Sequence, residues 1–273
     1  MEVPIDDPGD PRLADYLQLP DPAARRRLER DELFVAEGVT AIQRLLTSGH
    51  HVRSVLVTPA ALARLADALV QLEAPVYVAP KAVLAATVGF DLHRGAVAAA
   101  DRKPLPPLPD LVASSRAVGV LEGLNDPENL GAVARSARAL GIDGLVLDPQ
   151  CIDPYYRRTV RVSMGEVLHL PVARATSWPA DLEVLHRAGF ETWAMTPADD
   201  AADLWSLAPP PRVAVLLGAE GPGLSSAAMA AATRRVRIPI SPGVDSLNVG
   251  HAAAVTFAHL ARHTWAAEAR PRS

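Results

Sequence analysis

A two-domain α/β chain is predicted by three features of the sequence. Short aliphatic runs alternate with helical segments of about ten residues, one proline-dense stretch interrupts the alternation, and the apolar content is aliphatic rather than aromatic. Hydrophobic residues fill 49% of the 273 positions but aromatic ones only 4%, so Ala, Leu and Val must build the cores. A chain of this length supports one large domain or two ordinary ones, and the proline break selects two.

Residues 1–10, MEVPIDDPGD, are acidic, contain proline and show no period, so they are expected to stay loose. Asp21 followed by Pro22 sets an N-cap before a proline at the first helical position and marks a helix start. The alternation then runs LFVAEG (strand), VTAIQRLLTSG (helix), VRSVLVT (strand), PAALARLADALVQL (helix), PVYVA (strand), KAVLAATVG (helix) and GAVAAA (strand). These elements make a smaller N-terminal α/β domain over residues 1–102. Pro104, Pro106, Pro107 and Pro109 make residues 103–115 a semi-rigid linker that continues neither regular element. The second domain, residues 116–273, restarts with AVGVLEG (strand), ENLGAVARSARALG (helix), GLVLD (strand), YYRRTVRVSMGEV (helix) and LHLPVA (strand). It goes on with WPADLEVLHRAG (helix), FETWAMT and RVAVLLG (strands) and LSSAAMAAA (helix), and closes with a strand at IPI and a long helix.

The formal net charge is −4, which excludes a protein that coats nucleic acid through bulk electrostatics. Lysine occurs only at Lys81 and Lys103, and the arginines are bunched at 25, 26, 27 and 30, at 157, 158 and 161, and at 234, 235 and 237. Arginine forks suit phosphate oxygens, although each cluster reads equally well as a solvated helix face. A single cysteine, Cys151, excludes an internal disulfide framework. No uncharged apolar run reaches the roughly 18 residues that a membrane span needs, and no basic segment with an apolar stretch opens the chain. A soluble cytoplasmic protein is expected.

The common catalytic signatures are absent. There is no G-x-x-x-x-G-K-[ST], no G-x-S-x-G and no H-E-x-x-H, and the glycines of GAEGPG at 218–223 do not follow the dinucleotide-binding spacing. His259 and His263 stand four apart on the last helix, but no further ligand is spaced to complete a metal site, and none is assigned. Three polar segments follow predicted strands. In the first, Asn129-Leu-Gly131-Ala-Val-Ala-Arg135, the glycine lies one helical turn from the arginine and clears space beside it. The second, Leu217 to Leu224, is a strand running into glycines that let backbone approach a ligand. The third sets Ser246-Leu247-Asn248 at the mouth of the last helix. Ligands of open α/β sheets bind at the carboxyl ends of strands, so the three loops can share one crevice. Singly, each has a plainer reading: Asn129 as a helix cap, Glu220 as a turn residue, Ser246 as the N-cap of the last helix.

Together the segments resemble the SpoU/TrmH family of RNA 2′-O-ribose methyltransferases, members of the SPOUT superfamily. The resemblance rests on N-x-G-A-x-x-R from Asn129 to Arg135, L-L-G-A-E-G-x-G-L from Leu216 to Leu224, and I-P-I-x-x-G-x-x-S-L-N-V from Ile238 to Val249. Phe34 to Gly38 and His93 to Val97 are similar to stretches of the family's N-terminal substrate-binding domain. The resemblance implies a catalytic SPOUT domain with a mainly parallel sheet and a deep trefoil knot, a homodimer, and an S-adenosylmethionine pocket formed by the knot's loops. It implies cofactor contacts from Gly218, Glu220, Gly221, Ile238, Ser246, Leu247 and Asn248, and catalytic roles for Asn129, Arg135, Glu220 and Asn248. Contacts to RNA are expected from Arg135, from Arg157, Arg158 and Arg161, and from Arg26 and Arg30. The family's proposed base is this arginine, yet a guanidinium is protonated in almost any protein setting, so Arg135 suits equally well a cation that stabilises the developing alkoxide.

The expected activity is methyl transfer from S-adenosylmethionine to a ribose 2′-hydroxyl of structured RNA, ribosomal RNA ahead of transfer RNA. Members often carry Ser after S-L-N-V, where this chain has Gly250 and then His251. That departure motivates the alternative, an RNA-binding protein of the same fold without methyltransferase activity.

Overall fold

The computed structural model describes residues 2–30 and 32–268, with the side chains of residues 22, 25, 29, 30 and 263–268 excepted. The chain forms two compact units, one of Met1–Pro104 with Tyr155–His169 and the other of Leu105–Pro154 with Leu170–Ser273. Among the described residues no helix is long and apolar enough to cross a membrane.

The first unit holds strands β1 (Glu2–Pro4), β2 (Leu33–Glu37), β3 (Val52–Val57), β4 (Val76–Val78) and β5 (Ala96–Asp101), in the spatial order β1-β4-β3-β5-β2. Helices α1 (Pro22–Arg30), α2 (Val39–Thr47), α3 (Pro59–Leu69) and α4 (Lys81–Val88) alternate with them. Asp21 and Pro22 start α1 as expected, the Asp21 carboxylate accepting the Ala23 amide at 2.7 Å. Residues 1–10 are not loose throughout. Glu2–Pro4 adds a parallel edge strand to β4, and Ile5 is buried beyond it. An edge strand is held by backbone pairing and needs no apolar period of its own, and it tolerates Pro4. Leu13, Tyr16, Leu33, Leu56 and Val97 form part of the core, where the Tyr16 hydroxyl donates to the Ser54 carbonyl at 2.8 Å and accepts the Ala99 amide at 3.2 Å.

The expected linker is not all spacer: Leu108–Ser114 forms a helix, α5. Pro107 is its N-cap and Pro109 stands in its first turn, where a missing N–H breaks no helical hydrogen bond, and Leu108, Leu111 and Val112 are buried. The second unit then carries β6 (Ala117–Glu122), α6 (Pro127–Ala139) and β7 (Gly144–Leu147). Helix α7 (Arg157–Val162) and a 3-10 turn at Glu166–His169 belong to the first unit, so the Arg-rich helix is shorter than its sequence pattern. The rest comprises β8 (Val172–Arg174), α8 (Leu182–Arg187), β9 (Glu191–Met195), β10 (Ala202–Asp203), β11 (Val213–Gly218), α9 (Ser226–Ala231), β12 (Arg234–Arg237) and α10 (Val249–Glu268). All seven strands run parallel in the order β10-β12-β9-β11-β6-β7-β8. The expected strand at 238–240 lies just outside the sheet: β12 ends at Arg237, and Ile238-Pro239-Ile240 continues irregularly. Pro239 has no N–H to give a ladder. The central strands are apolar on both faces, as in a sheet covered by helices on either side, and Val118, Val120, Val146, Ala214 and Leu216 join α8 in one core cluster.

Candidate active site

Strands β6 and β11 pair so that Gly218 lies opposite Glu122, and both chains leave the sheet at its carboxyl edge. After Gly218 the chain folds back tightly: the Gly223 amide bonds the Ala219 carbonyl at 2.9 Å, with Gly221 at φ 86° and Gly223 at φ 71°. A Cβ on Gly218 would stand 2.1 Å from the Gly223 carbonyl carbon and 2.2 Å from the Leu224 nitrogen, so no other residue fits there. Beside this turn opens a cavity of about 570 Å³, within the usual range for a small-molecule site. Gly218, Glu220, Gly221, Ile238, Ser246 and Leu247, all expected at the cofactor, line it. Its two charged side chains, Glu220 and Asp245, are both acidic. Met195 and Thr196 at the end of β9, and Met229 of α9, also line it and were missed in the sequence. The position of FETWAMT as a strand reaching the same carboxyl edge was the available signal.

Asn248 does not line that cavity; it ties the three loops together. Its Oδ1 accepts the Gly250 and His251 amides at 2.9 and 3.3 Å, which caps α10. Its Nδ2 donates to Asn129 Oδ1 at 2.9 Å and to the carboxylate of Glu220. Asn129 is buried in the first turns of α6, whose cap is instead Asp126, accepting the Glu128 amide at 2.9 Å. Ser246 is therefore not the cap of the last helix. Gly250 sits where α10 packs on α6: a Cβ there would come within 3.1 Å of both Ala132 Cβ and Asn248 Oδ1.

Glu122 carries a role that the sequence did not reveal. One carboxylate oxygen accepts the Trp178 indole N–H at 2.7 Å and the other the Ser225 amide at 2.8 Å, which pins the far end of the 218–225 turn. Cys151 is buried, its thiol donating to the Leu121 carbonyl at 3.2 Å and accepting the Leu124 amide at 3.3 Å. Burial, then the neighbouring Asp148, pushes the thiol up to about 12, which leaves it inert as a nucleophile.

The arginines divide. Arg135 lies exposed on α6, the better part of two turns beyond Asn129, without a hydrogen bond or ion pair to any described residue. Within the first unit, Arg157 is paired to the Glu37 carboxylate and lies 4.7 Å over the Phe90 ring, and Arg161 reaches the same carboxylate at 3.3 Å. Arg158 is exposed on α7 and Arg26 on α1; the side chains of Arg30 and His263 lie outside the described residues. Among the described side chains, Arg158, Arg26 and Arg135 are thus the expected RNA contacts that solvent reaches most freely. Among the described residues no group of three or more His, Cys, Asp or Glu is placed to hold a metal ion.

The chain matches the model of the SpoU rRNA Methylase family over residues 117–258. It is 46% identical over 255 residues to an uncharacterized tRNA/rRNA methyltransferase of Mycobacterium tuberculosis, covering 92% of this chain and 88% of that protein. Among solved structures it is similar to an RNA 2′-O ribose methyltransferase, with TM-score 0.79 and 29% identity over 96% of this chain and 100% of the other. It is also similar to the SpoU methyltransferase AviRb from Streptomyces viridochromogenes in complex with the cofactor AdoMet, with TM-score 0.77 and 25% identity over 94% and 98% of the two chains.

Proposed function

The chain belongs to the SpoU rRNA methylase family of RNA methyltransferases, and from that premise we propose that it transfers a methyl group from S-adenosylmethionine to a ribose 2′-hydroxyl of structured RNA, ribosomal RNA ahead of transfer RNA. The observation that carries the reading is the carboxamide of Asn248, which joins Asn129 and Glu220 at the edge of the 570 Å³ cavity.

The residues present fit the cofactor. Leu217, Ile238 and Leu247 give the cavity apolar walls for an adenine, and the glycine turn leaves room for close backbone contact. Two carboxylates and no basic side chain line it, a charge pattern suited to a sulfonium cation. When bound, the cofactor supplies an electrophilic methyl group.

The chain's own part is positioning and charge. A ribose hydroxyl is a weak acid, so holding it in line and stabilising the oxyanion that develops must supply most of the acceleration. Asn129 and Glu220, fixed by Asn248, position the sugar. Arg135 acts as a cation beside the developing alkoxide or its phosphate, since a guanidinium does not release its proton under physiological conditions. Its exposure, with no hydrogen bond to the Asn248 cluster of its own chain, agrees with a homodimer in which catalytic groups come from both copies.

Mapping 2′-O-methylation across total RNA from cells with and without the gene tests the reading. The expected result is one ribose that loses its methyl group when the gene is absent; an unchanged map overturns it.

A further inference from the structure

Beside the cofactor cavity lies a second one of about 420 Å³, and the turn from Ala219 to Leu224 forms a wall common to both. Its remaining walls come from the end of β6, the loop into α6, and Gln150 in the loop after β7. Asn129 and Glu220, two members of the hydrogen-bonded cluster, line it as well.

Several of the polar side chains around this cavity are already engaged. Both oxygens of Glu122 take N–H groups, Asp126 caps α6, and the Ser225 hydroxyl oxygen accepts the Ala228 amide at 3.1 Å. The carboxamides of Asn125 and Gln150 make no hydrogen bond to any described residue, and both residues are exposed. No lysine, arginine or histidine lines the cavity, while three carboxylates do, so a phosphate group is repelled from it. A neutral group with donors and acceptors is what fits. A carboxamide presents a donor beside an acceptor, and that pair is complementary to the edge of a nucleobase. In paired RNA those edges are occupied or out of reach, so a base read this way must leave its stack.

We propose that the second cavity receives the unstacked base of the target nucleotide, and that Asn125 and Gln150 hydrogen-bond its edge. The proposal rests on the methyl-transfer reading. With the cofactor on one side of the shared turn and the base on the other, the ribose between them meets Asn129 and Glu220, and the base pocket selects which nucleotide is modified.

The test compares the unaltered chain with the double variant Asn125→Ala, Gln150→Ala, following transfer of tritiated methyl from S-adenosylmethionine into total RNA from cells lacking the gene. Calorimetric titration of S-adenosylmethionine, run on both proteins, reports whether the cofactor cavity is intact. The expected result is a KM for RNA raised about tenfold or more, the scale of one or two lost base contacts, with cofactor affinity unchanged. Transfer with an unchanged KM in the double variant overturns this proposal alone, and so does a loss of cofactor affinity that accounts for the change. No transfer by the unaltered chain overturns the methyl-transfer reading and this proposal with it.

Discussion

One carboxamide at residue 248 makes four hydrogen bonds, and they separate into two tasks. The oxygen caps α10, while the nitrogen holds Asn129 and Glu220 at one point. Serine is as good an N-cap as asparagine but is too short to donate across to both partners. Asn248→Ser should therefore change thermal stability by no more than about 1 kcal/mol, while methyl transfer falls by about a hundredfold, the scale of a lost positioning group. Thermal unfolding beside a single-turnover assay checks this; equal losses of stability and activity would make Asn248 a cap and nothing more. The sequence offered Ser246 as the cap at this helix mouth, yet Asn248, two residues on, takes that place. The partners across the loops, 28 and 119 residues away, decided between them.

At the scale of elements, local chemistry was read well wherever it acted alone, and less well where packing overrode it. Asp21 and Pro22 start α1 as their types require, but the prolines at 107 and 109 punctuate a helix rather than forbid one, because Leu108, Leu111 and Val112 have a core to enter. A further consequence lies in the loop between α2 and β3. His50 is buried against Phe34 and Tyr155, with ring centroids 5.2 and 5.6 Å away, and burial, aided by Lys103 and His169, pushes its imidazolium down to about 4. The fold thus favours the neutral ring. Its contribution is complete above pH 6.5, where the unfolded chain is also neutral, and is lost as pH falls from there towards 4. Allowing for the ring's remaining solvent contact, the loss is about 1–2 kcal/mol. Denaturant melts of the chain and of His50→Gln between pH 7 and pH 4 (about the ordinary and the shifted values) check it: the variant should be flatter across this window, and parallel curves would contradict the assignment.

For the whole molecule, charge limits how RNA can be held. The net charge is −4, and the arginines at 157, 161, 234 and 235 already face carboxylates, which leaves Arg26, Arg135 and Arg158 as the expected contacts most open to phosphates among the described side chains. About three contacts per chain give a slope of about −2 to −3 in a plot of log affinity against log salt concentration. Filter binding at several potassium chloride concentrations measures it, and a slope beyond about −6 per chain would require phosphate contacts that these residues do not supply. Binding of this kind carries no sequence information, so choice of nucleotide must come from elsewhere on the protein.

The sequence by itself determined the α/β class, the position of most strands and helices, and the residue types of the three loops, because propensity, capping and motif spacing act over a few neighbouring residues. It did not determine that Ile238–Ile240 leaves the sheet, that residues 155–169 belong with the first unit, or that Glu122, Met195 and Thr196 stand around the turn at 218. Those outcomes depend on which strand lies beside which, and only the folded sheet brings β6, β9 and β11 to a common edge.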